Sequence, residues 1–385
     1  MSSRLPARTL IGALVLALSA CATPVPPPVA TPPAEPAPVV APSRPPGTNP
    51  LPDPYPAMPL EQAKAMFVRD TAAKYGVDAA HVAAVLERAQ KRDSIVALMS
   101  KPAEAKPWRD YRPIFITAGR INGGQAFLAK HRDRLAKAEA RYGVPAEIIV
   151  AIIGVETSFG ANTGKNSVVD ALYTLGFFYP RSGDPAKAER EARREAFFRN
   201  ELAMLFALGQ QEGIDVTALT GSYAGAMGWG QFMPSSYLEF AVDGDGDGKR
   251  DLFNNLDDVF ASIANYFVQK GGWERGGPVA VRAVRDANAV HFEPESMDPV
   301  YSLADLAARG YRPSAALPAG QTATLVHLDG VNGPEPWLAF RNFYAITRYN
   351  ISKHYAMAVY QLAEAIAGRS APLAADAAPA ASPGA

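Results

Sequence analysis

The chain has 385 residues, 38 basic and 38 acidic side chains, 48% hydrophobic residues and one cysteine. Zero net charge excludes a global pull toward nucleic acid, although a local basic groove is still compatible with it. One cysteine excludes a disulfide framework and a cysteine-built zinc site, and the five histidines include no H-x-x-x-H pair.

Residues 1–20 read as an export signal. Arg4 and Arg8 precede the apolar run LIGALVLAL, which is too short to span a bilayer. The following L-S-A-C resembles the lipobox of bacterial lipoproteins, so Cys21 is the expected lipidation site; the plainer alternative is an ordinary cleaved signal. Several acyl chains there would anchor the protein firmly where one would not. Ala22 after the cysteine, rather than Asp, points in that resemblance to the outer membrane, facing the periplasm. Residues 21–59 form a linker with sixteen prolines in the 38 positions from 22. Such a segment builds no core and is expected to be an extended spacer with a reach on the order of 100 Å.

Residues 60–275 read as helical. EQAKAMFVRDTAAKYG and DAAHVAAVLERAQ carry apolar residues three and four apart, with Gly76 and Asp78 as stop and cap. GQAFLAKHRDRLAKAEARYG is expected to be one more helix. Pro145 then opens AEIIVAIIGVE as a first helical residue, in a run apolar nearly all round and therefore central. SVVDALYTLGFF and AKAEREARREAFFRNELAMLFALGQQEG continue the helical pattern. A glycine-rich turn GSYAGAMGWGQFMPSSY, an acidic loop within 243–258 and the helix LDDVFASIANYFVQK follow. Residues 276–336, with PVAVRAV and TATLVHL, are expected to form a small β-rich subdomain. Residues 337–368, from WLAFRNF onward, return to helix, and 369–385 form a low-complexity tail expected to be disordered. The fold class is mainly α (α+β).

Glu156 stands out at the end of the apolar run. An isolated helix-end glutamate usually turns to solvent. Here the helix C-terminus and the apolar neighbours both disfavour a negative charge, so the site is expected to keep this acid protonated near neutral pH. Such an acid can protonate the leaving oxygen of a glycosidic bond. Glycosidases usually need a second carboxylate. The nearest, Asp170, reads better as the third position of a capping box opened by Ser167. In the glycine-rich turn the spacing is wrong for a phosphate loop. Either the turn is purely structural, or its backbone lies along a bulky ligand with Ser222 and Gln231 as hydrogen-bonding groups.

Asp243, Asp245 and Asp247 occupy positions 1, 3 and 5 of an EF-hand-like loop. Gly248 is at 6, and Lys249 offers its carbonyl at 7. Position 12 is Asn254 instead of Glu, so Asp257 or Asp258 would close a longer loop; Asp258 keeps register with the helix that follows. The alternative is a solvated acidic turn. A single loop of this kind suggests structural calcium and argues against a sensor. Tyr111, Tyr266, Tyr349, Asn350 and Tyr355 suit either a core or a sugar-binding groove, and Arg193 and Arg194 either a solvated face or a ligand contact.

Taken together, WRDYRPIFIT, YGVPAEIIVAIIGVETSFG, DALYTLGFFYPR, the glycine-rich turn, the acidic loop, SIANYF and TRYNISKHYAMAVYQL resemble the membrane-bound lytic murein transglycosylases of the B type, glycoside hydrolase family 103. The resemblance implies a lysozyme-like helical catalytic core with a small inserted β domain and one calcium ion. It implies cleavage of the β-1,4 bond between N-acetylmuramic acid and N-acetylglucosamine in peptidoglycan glycan strands, with 1,6-anhydro products. Glu156 would be the sole acid and base, assisted by the substrate's own acetamido oxygen. Ser222, Gln231, Tyr111, Tyr266, Tyr349, Asn350 and Tyr355 would line the groove. Arg193 and Arg194 match an arginine pair that holds peptide or muramyl carboxylates, although SGDPAKAEREA, about a dozen residues, separates them from YPR. A hydrolytic muramidase on the same scaffold, and a wall-binding lipoprotein without catalysis, are the alternatives.

Overall fold

The computed structural model describes Tyr55, residues 58–100 and residues 106–369; Cys21, nearly all of the proline-rich segment and the tail from 370 lie outside the described residues. Among the described residues the architecture is mainly helical, with one five-stranded antiparallel sheet and one two-stranded antiparallel pair. At its centre is α7 (Ala146–Thr157), in which every residue from Ile148 to Gly154 is buried. Over that stretch no face of the helix meets water, as expected of a run apolar all round. Pro145 sits at the N-cap with ψ 140°, one position earlier than expected.

Around α7 pack α5 (Ala118–Lys130), α6 (Arg132–Tyr142), α11 (Leu256–Gln269) and α14 (Lys353–Ile366). The segment expected to be one helix is thus two, α5 and α6, broken at His131 (φ −112°, ψ 20°). The bend lets α5 lie on α7 and α14 while α6 lies mainly on α11. One straight helix could not bury its apolar stripe against both. At the far end of α6, Gly143 takes φ 73° and its N–H caps Glu139 O, a left-handed position that glycine adopts without the Cβ penalty.

A second group comprises α1 (Leu60–Tyr75), α2 (Ala79–Arg88), α8 (Val168–Phe177), the long α9 (Pro185–Glu212) and α10 (Pro234–Phe240). Ser167 caps α8 by accepting the Asp170 N–H at 3.2 Å. The expected capping box is only half formed. The Asp170 carboxylate turns away to accept both the Arg92 guanidinium, as close as 2.6 Å, and the Gln90 N–H at 2.9 Å.

The sheet has strand order β4-β6-β7-β3-β5, antiparallel throughout. Its strands are β3 (Ala280–Arg285), β4 (Tyr301–Ser302), β5 (Tyr311–Pro313), β6 (Thr322–Gly330) and β7 (Gly333–Ala339). Strand alternation gives it two apolar faces. Val326, Trp337 and Ala339 join the helical core, whereas Leu325, Leu338 and Phe340 close a small core with Leu306 and Tyr311. This is why Trp337–Ala339, expected to begin a helix, finish a strand. Helix resumes only at α13 (Arg341–Tyr349). Among the described residues no helix is long and apolar enough to cross a membrane.

Candidate active site

Glu156 is the penultimate residue of α7. It keeps some solvent-accessible surface, as an acid that must meet a substrate requires, yet the surrounding protein is dense enough for burial to push its carboxyl up to about 7. The opposing influence is the Tyr355 hydroxyl, which donates to Glu156 Oε1 at 2.5 Å and favours the ionised form. Among the described residues no second carboxylate acts on its titration. Asp170, the nearest alternative in sequence, is held by Arg92.

The tyrosines build a wall from several elements. Tyr355 lies in the first turn of α14, whose N-terminus is capped by Ser352. Tyr349 ends α13 and donates to Gly230 O at 2.5 Å. Burial first, and then the Glu156 charge, push both hydroxyls well above the ordinary tyrosine value. Tyr266 of α11 donates to Arg348 O at 2.7 Å, and its ring lies 4.9 Å from that of Tyr349. Tyr111, on α4 (Trp108–Phe115), stacks on Trp108 and adjoins His354. Its influence reaches the Tyr355 hydroxyl. Asn350 Oδ1 accepts the Ser352 N–H at 3.1 Å, fixing the turn between α13 and α14.

The glycine-rich turn packs against this wall, through Gly230 O on Tyr349 and the Phe232 ring on Tyr266 and Tyr349. Ser222 Oγ accepts the N–H groups of Ala224 (3.3 Å) and Ala226 (3.1 Å), leaving its own proton free to donate. Gln231 Nε2 donates to the carbonyls of Thr163 and Gly228, both at 3.0 Å, so its Oε1 is the group left to accept. Ser158, Phe159 and Gln231 are the three non-glycine residues with positive φ (51°, 60° and 51°) among those described. Two of them follow Glu156 by two and three residues. Left-handed backbone of this kind costs on the order of 1–3 kcal/mol per residue and clusters at functional sites.

Hydrogen bonds that sequence reasoning missed tie these parts together, through Thr157 and through Trp229, which the sequence offered only as a ring face beside a ligand. Thr157 Oγ1 shares its one proton between Ile153 O at 3.1 Å and Trp229 O at 3.2 Å; the Trp229 N–H donates to Leu252 O at 3.2 Å, and its indole N–H to Phe253 O at 2.9 Å. The end of the Glu156 helix is thereby joined to the chain leaving the acidic loop. No local pattern announces such bonds, which link residues about 70 and 24 positions apart. The two-residue strands β1 (Asn166–Ser167) and β2 (Thr220–Gly221), which bring the glycine-rich turn beside α8, carry no periodic signal either.

In the acidic loop the carboxylates of Asp243, Asp245 and Asp258 bring oxygens within 4.8 Å of one another, and none of the three forms an ion pair among the described residues. Asp258 is fully buried and accepts the N–H groups of Gly244 and Asp251, both at 2.7 Å. Asp257 faces the other way, paired with Arg134 at 2.7 Å. Asp247 stands on the exposed rim, accepts the Lys249 N–H at 2.8 Å and is outside the three-carboxylate group. A buried carboxylate with two acids beside it and no cationic partner fits a hard divalent cation with oxygen ligands. Arg193 and Arg194 lie on the exposed side of α9, with Arg193 paired to Glu189.

The chain matches the family described as Transglycosylase SLT domain over residues 60–364. It is 41% identical over 311 residues to the membrane-bound lytic murein transglycosylase B of Escherichia coli (strain K12), covering 78% of this chain and 81% of the relative. Among solved structures it resembles the Escherichia coli lytic transglycosylase Slt35 in complex with calcium (TM-score 0.69, 41% identity, 80% of this chain and 93% of that one). It also resembles SltB3 of Pseudomonas aeruginosa in complex with NAG-NAM-pentapeptide (TM-score 0.68, 31% identity, 80% of this chain and 79% of that one).

Proposed function

We propose a reaction on one premise: the chain belongs to the Transglycosylase SLT domain family and is an enzyme of the lytic transglycosylase class, the lyases of glycosidic bonds. The substrate is the peptidoglycan glycan strand, cleaved at the β-1,4 bond between N-acetylmuramic acid and N-acetylglucosamine. Glu156, protonated, gives its proton to the bridging oxygen as the bond to the muramic anomeric carbon breaks. The substrate's 2-acetamido oxygen stabilises the cation that develops there. Glu156, now a carboxylate, takes the proton of the muramic 6-hydroxyl, whose oxygen closes on the anomeric carbon as a 1,6-anhydro ring. Proton and electron pairs balance without water.

The observation that supports this most is an acid with a carboxyl near 7 on which, among the described residues, no second carboxylate acts. Tyr111 and Tyr349, which keep some exposed surface, would offer ring surface to sugar rings, with Tyr266 and Tyr355 buried behind them and Ser222, Gln231 and Asn350 as polar contacts. Mass analysis of digested peptidoglycan tests the reading. Anhydromuramyl ends, lighter by one water than hydrolysed ends, are expected; reducing muramic ends would make the enzyme a hydrolase.

Tyr355 offers a finer check. Its hydrogen bond favours ionised Glu156, so Tyr355→Phe raises the carboxyl further. A general acid works only while protonated. The high-pH limb of kcat/KM, expected near 7 in the wild type, should therefore move upward in the variant.

Calcium would be held by Asp243, Asp245 and Asp258, with Asp247 and the Lys249 carbonyl completing the shell, and would clamp the loop to the start of α11. It supplies charge neutralisation for these acids and no step of the chemistry. At a hundredfold excess over its Kd, such an ion stabilises by about 3 kcal/mol. A chelator should lower the melting temperature by several degrees, and Asp258→Asn should abolish that response. A wild-type melting curve indifferent to chelator would remove the ion from the account. Lipidation at Cys21 would anchor the enzyme to the outer membrane, with the catalytic region in the periplasm.

A further inference from the structure

We propose that Arg120 is a carboxylate-binding residue at one end of the groove, selecting glycan units that carry an acid on the muramyl side chain. The proposal rests on the function inferred above and names a contact for that substrate. Arg120 lies in the first turn of α5, after the corner that follows α4. Its guanidinium donates to Ser158 Oγ at 3.0 Å and to Ile114 O at 2.8 Å, and lies over the Phe115 ring at 5.2 Å. The Phe115 ring is 5.2 Å from that of Tyr111, and Ser158 follows Glu156 by two residues. The cation therefore stands between the Tyr111 wall and the end of the Glu156 helix.

Two of its five N–H groups are spent on the protein, leaving a fork that suits a planar carboxylate. Arg134 and Arg250, which are likewise partly sunk into the surface, each pair with an acid. Arg120 forms no ion pair among the described residues. It is half-buried, and burial lowers its pKa, so the guanidinium bears a desolvation cost that no protein anion offsets. A purely structural cap for the last carbonyls of α4 would need no charge aimed at this place.

Arg193 and Arg194, the arginines that the resemblance assigned to carboxylates, lie on α9, which packs on α1, α8 and α10. Arg120 is joined to the Glu156 helix directly through Ser158. In the proposed substrate two sources share the required chemistry: the lactyl acid of a peptide-free muramic acid, and the acidic stem peptide of an intact one.

The test is calorimetric binding of three ligands to the full chain and to Arg120→Gln. The ligands are an uncharged N-acetylglucosamine tetramer, a peptide-free muramyl disaccharide, and the same disaccharide bearing its stem peptide. The expected result is a loss of about tenfold or more, the scale of a charge-assisted pair, on a carboxylate ligand. Affinity for the tetramer should be unchanged, which also certifies the fold of the variant. Loss on the disaccharide alone identifies the lactyl source, and loss on the muropeptide alone the stem. An equal loss on all three ligands would mean that Arg120 only shapes the groove; no loss on any would mean that it binds nothing. Either overturns the proposal. Binding of none of them by the wild type would sink the functional reading itself, a failure visible without the variant.

Discussion

Glu156→Gln should cut glycan cleavage by on the order of 10²–10⁴-fold, the contribution of a positioned general acid, and leave the fold intact. The amide keeps the size and the hydrogen-bonding capacity toward Tyr355 but has no proton to give and no carboxylate to recover it. Among the described residues no other acid acts on this position and could substitute. The same change has a stability signature. Burial raises the carboxyl from 4.5 to about 7. Between those values the folded state binds a proton that the unfolded chain has released, so wild-type stability falls as pH rises through the window. Because the side chain keeps some exposure, the loss is on the order of 2 kcal/mol. Glutamine does not titrate. The variant should therefore gain in melting temperature over the wild type between pH 4 and pH 8. Parallel curves would mean that the acid is not desolvated.

Gly164→Ala is expected to have the second large effect. Gly164 takes φ 96°, and a Cβ there would meet Gly221 C at 2.0 Å and Ser222 N at 2.6 Å. Those atoms are backbone, so no rotamer change relieves the overlap. Strain at positive φ and forced overpacking each cost about 1–3 kcal/mol, and the sum should lower stability by roughly 2–6 kcal/mol while displacing Ser222. Gly183→Ala is the control. Its φ is 74° but nothing lies within 4 Å, so it should cost only about 1 kcal/mol. Chemical denaturation of both variants separates crowding from backbone strain.

The parts of this molecule legible in sequence are those encoded locally. Apolar periodicity marked α1, α2, α9 and α11, the acid at the end of an apolar run marked Glu156, and the 1-3-5 acids marked the loop that contains Asp243 and Asp245. Asp258 was legible only through register with α11. What escaped depends on partners distant in the chain. The break at His131 arises because α5 and α6 have different neighbours. Asp170 leaves its cap for Arg92, 78 residues away. Trp337–Ala339 become strand because β6 waits beside them. The Thr157–Trp229–Phe253 link and the Ser158–Arg120 contact carry no motif, since a single hydrogen bond across a fold leaves no spacing to read.

The most direct measurement is the titration of the Glu156 carboxyl itself, followed by ¹³C NMR in protein labelled at glutamate and assigned by Glu156→Gln. A midpoint at about 7, rising further in Tyr355→Phe, is the expected result. A midpoint near the ordinary 4.5, unmoved by that substitution, would mean that the acid is already ionised where it must donate, and the proposed reaction would fail.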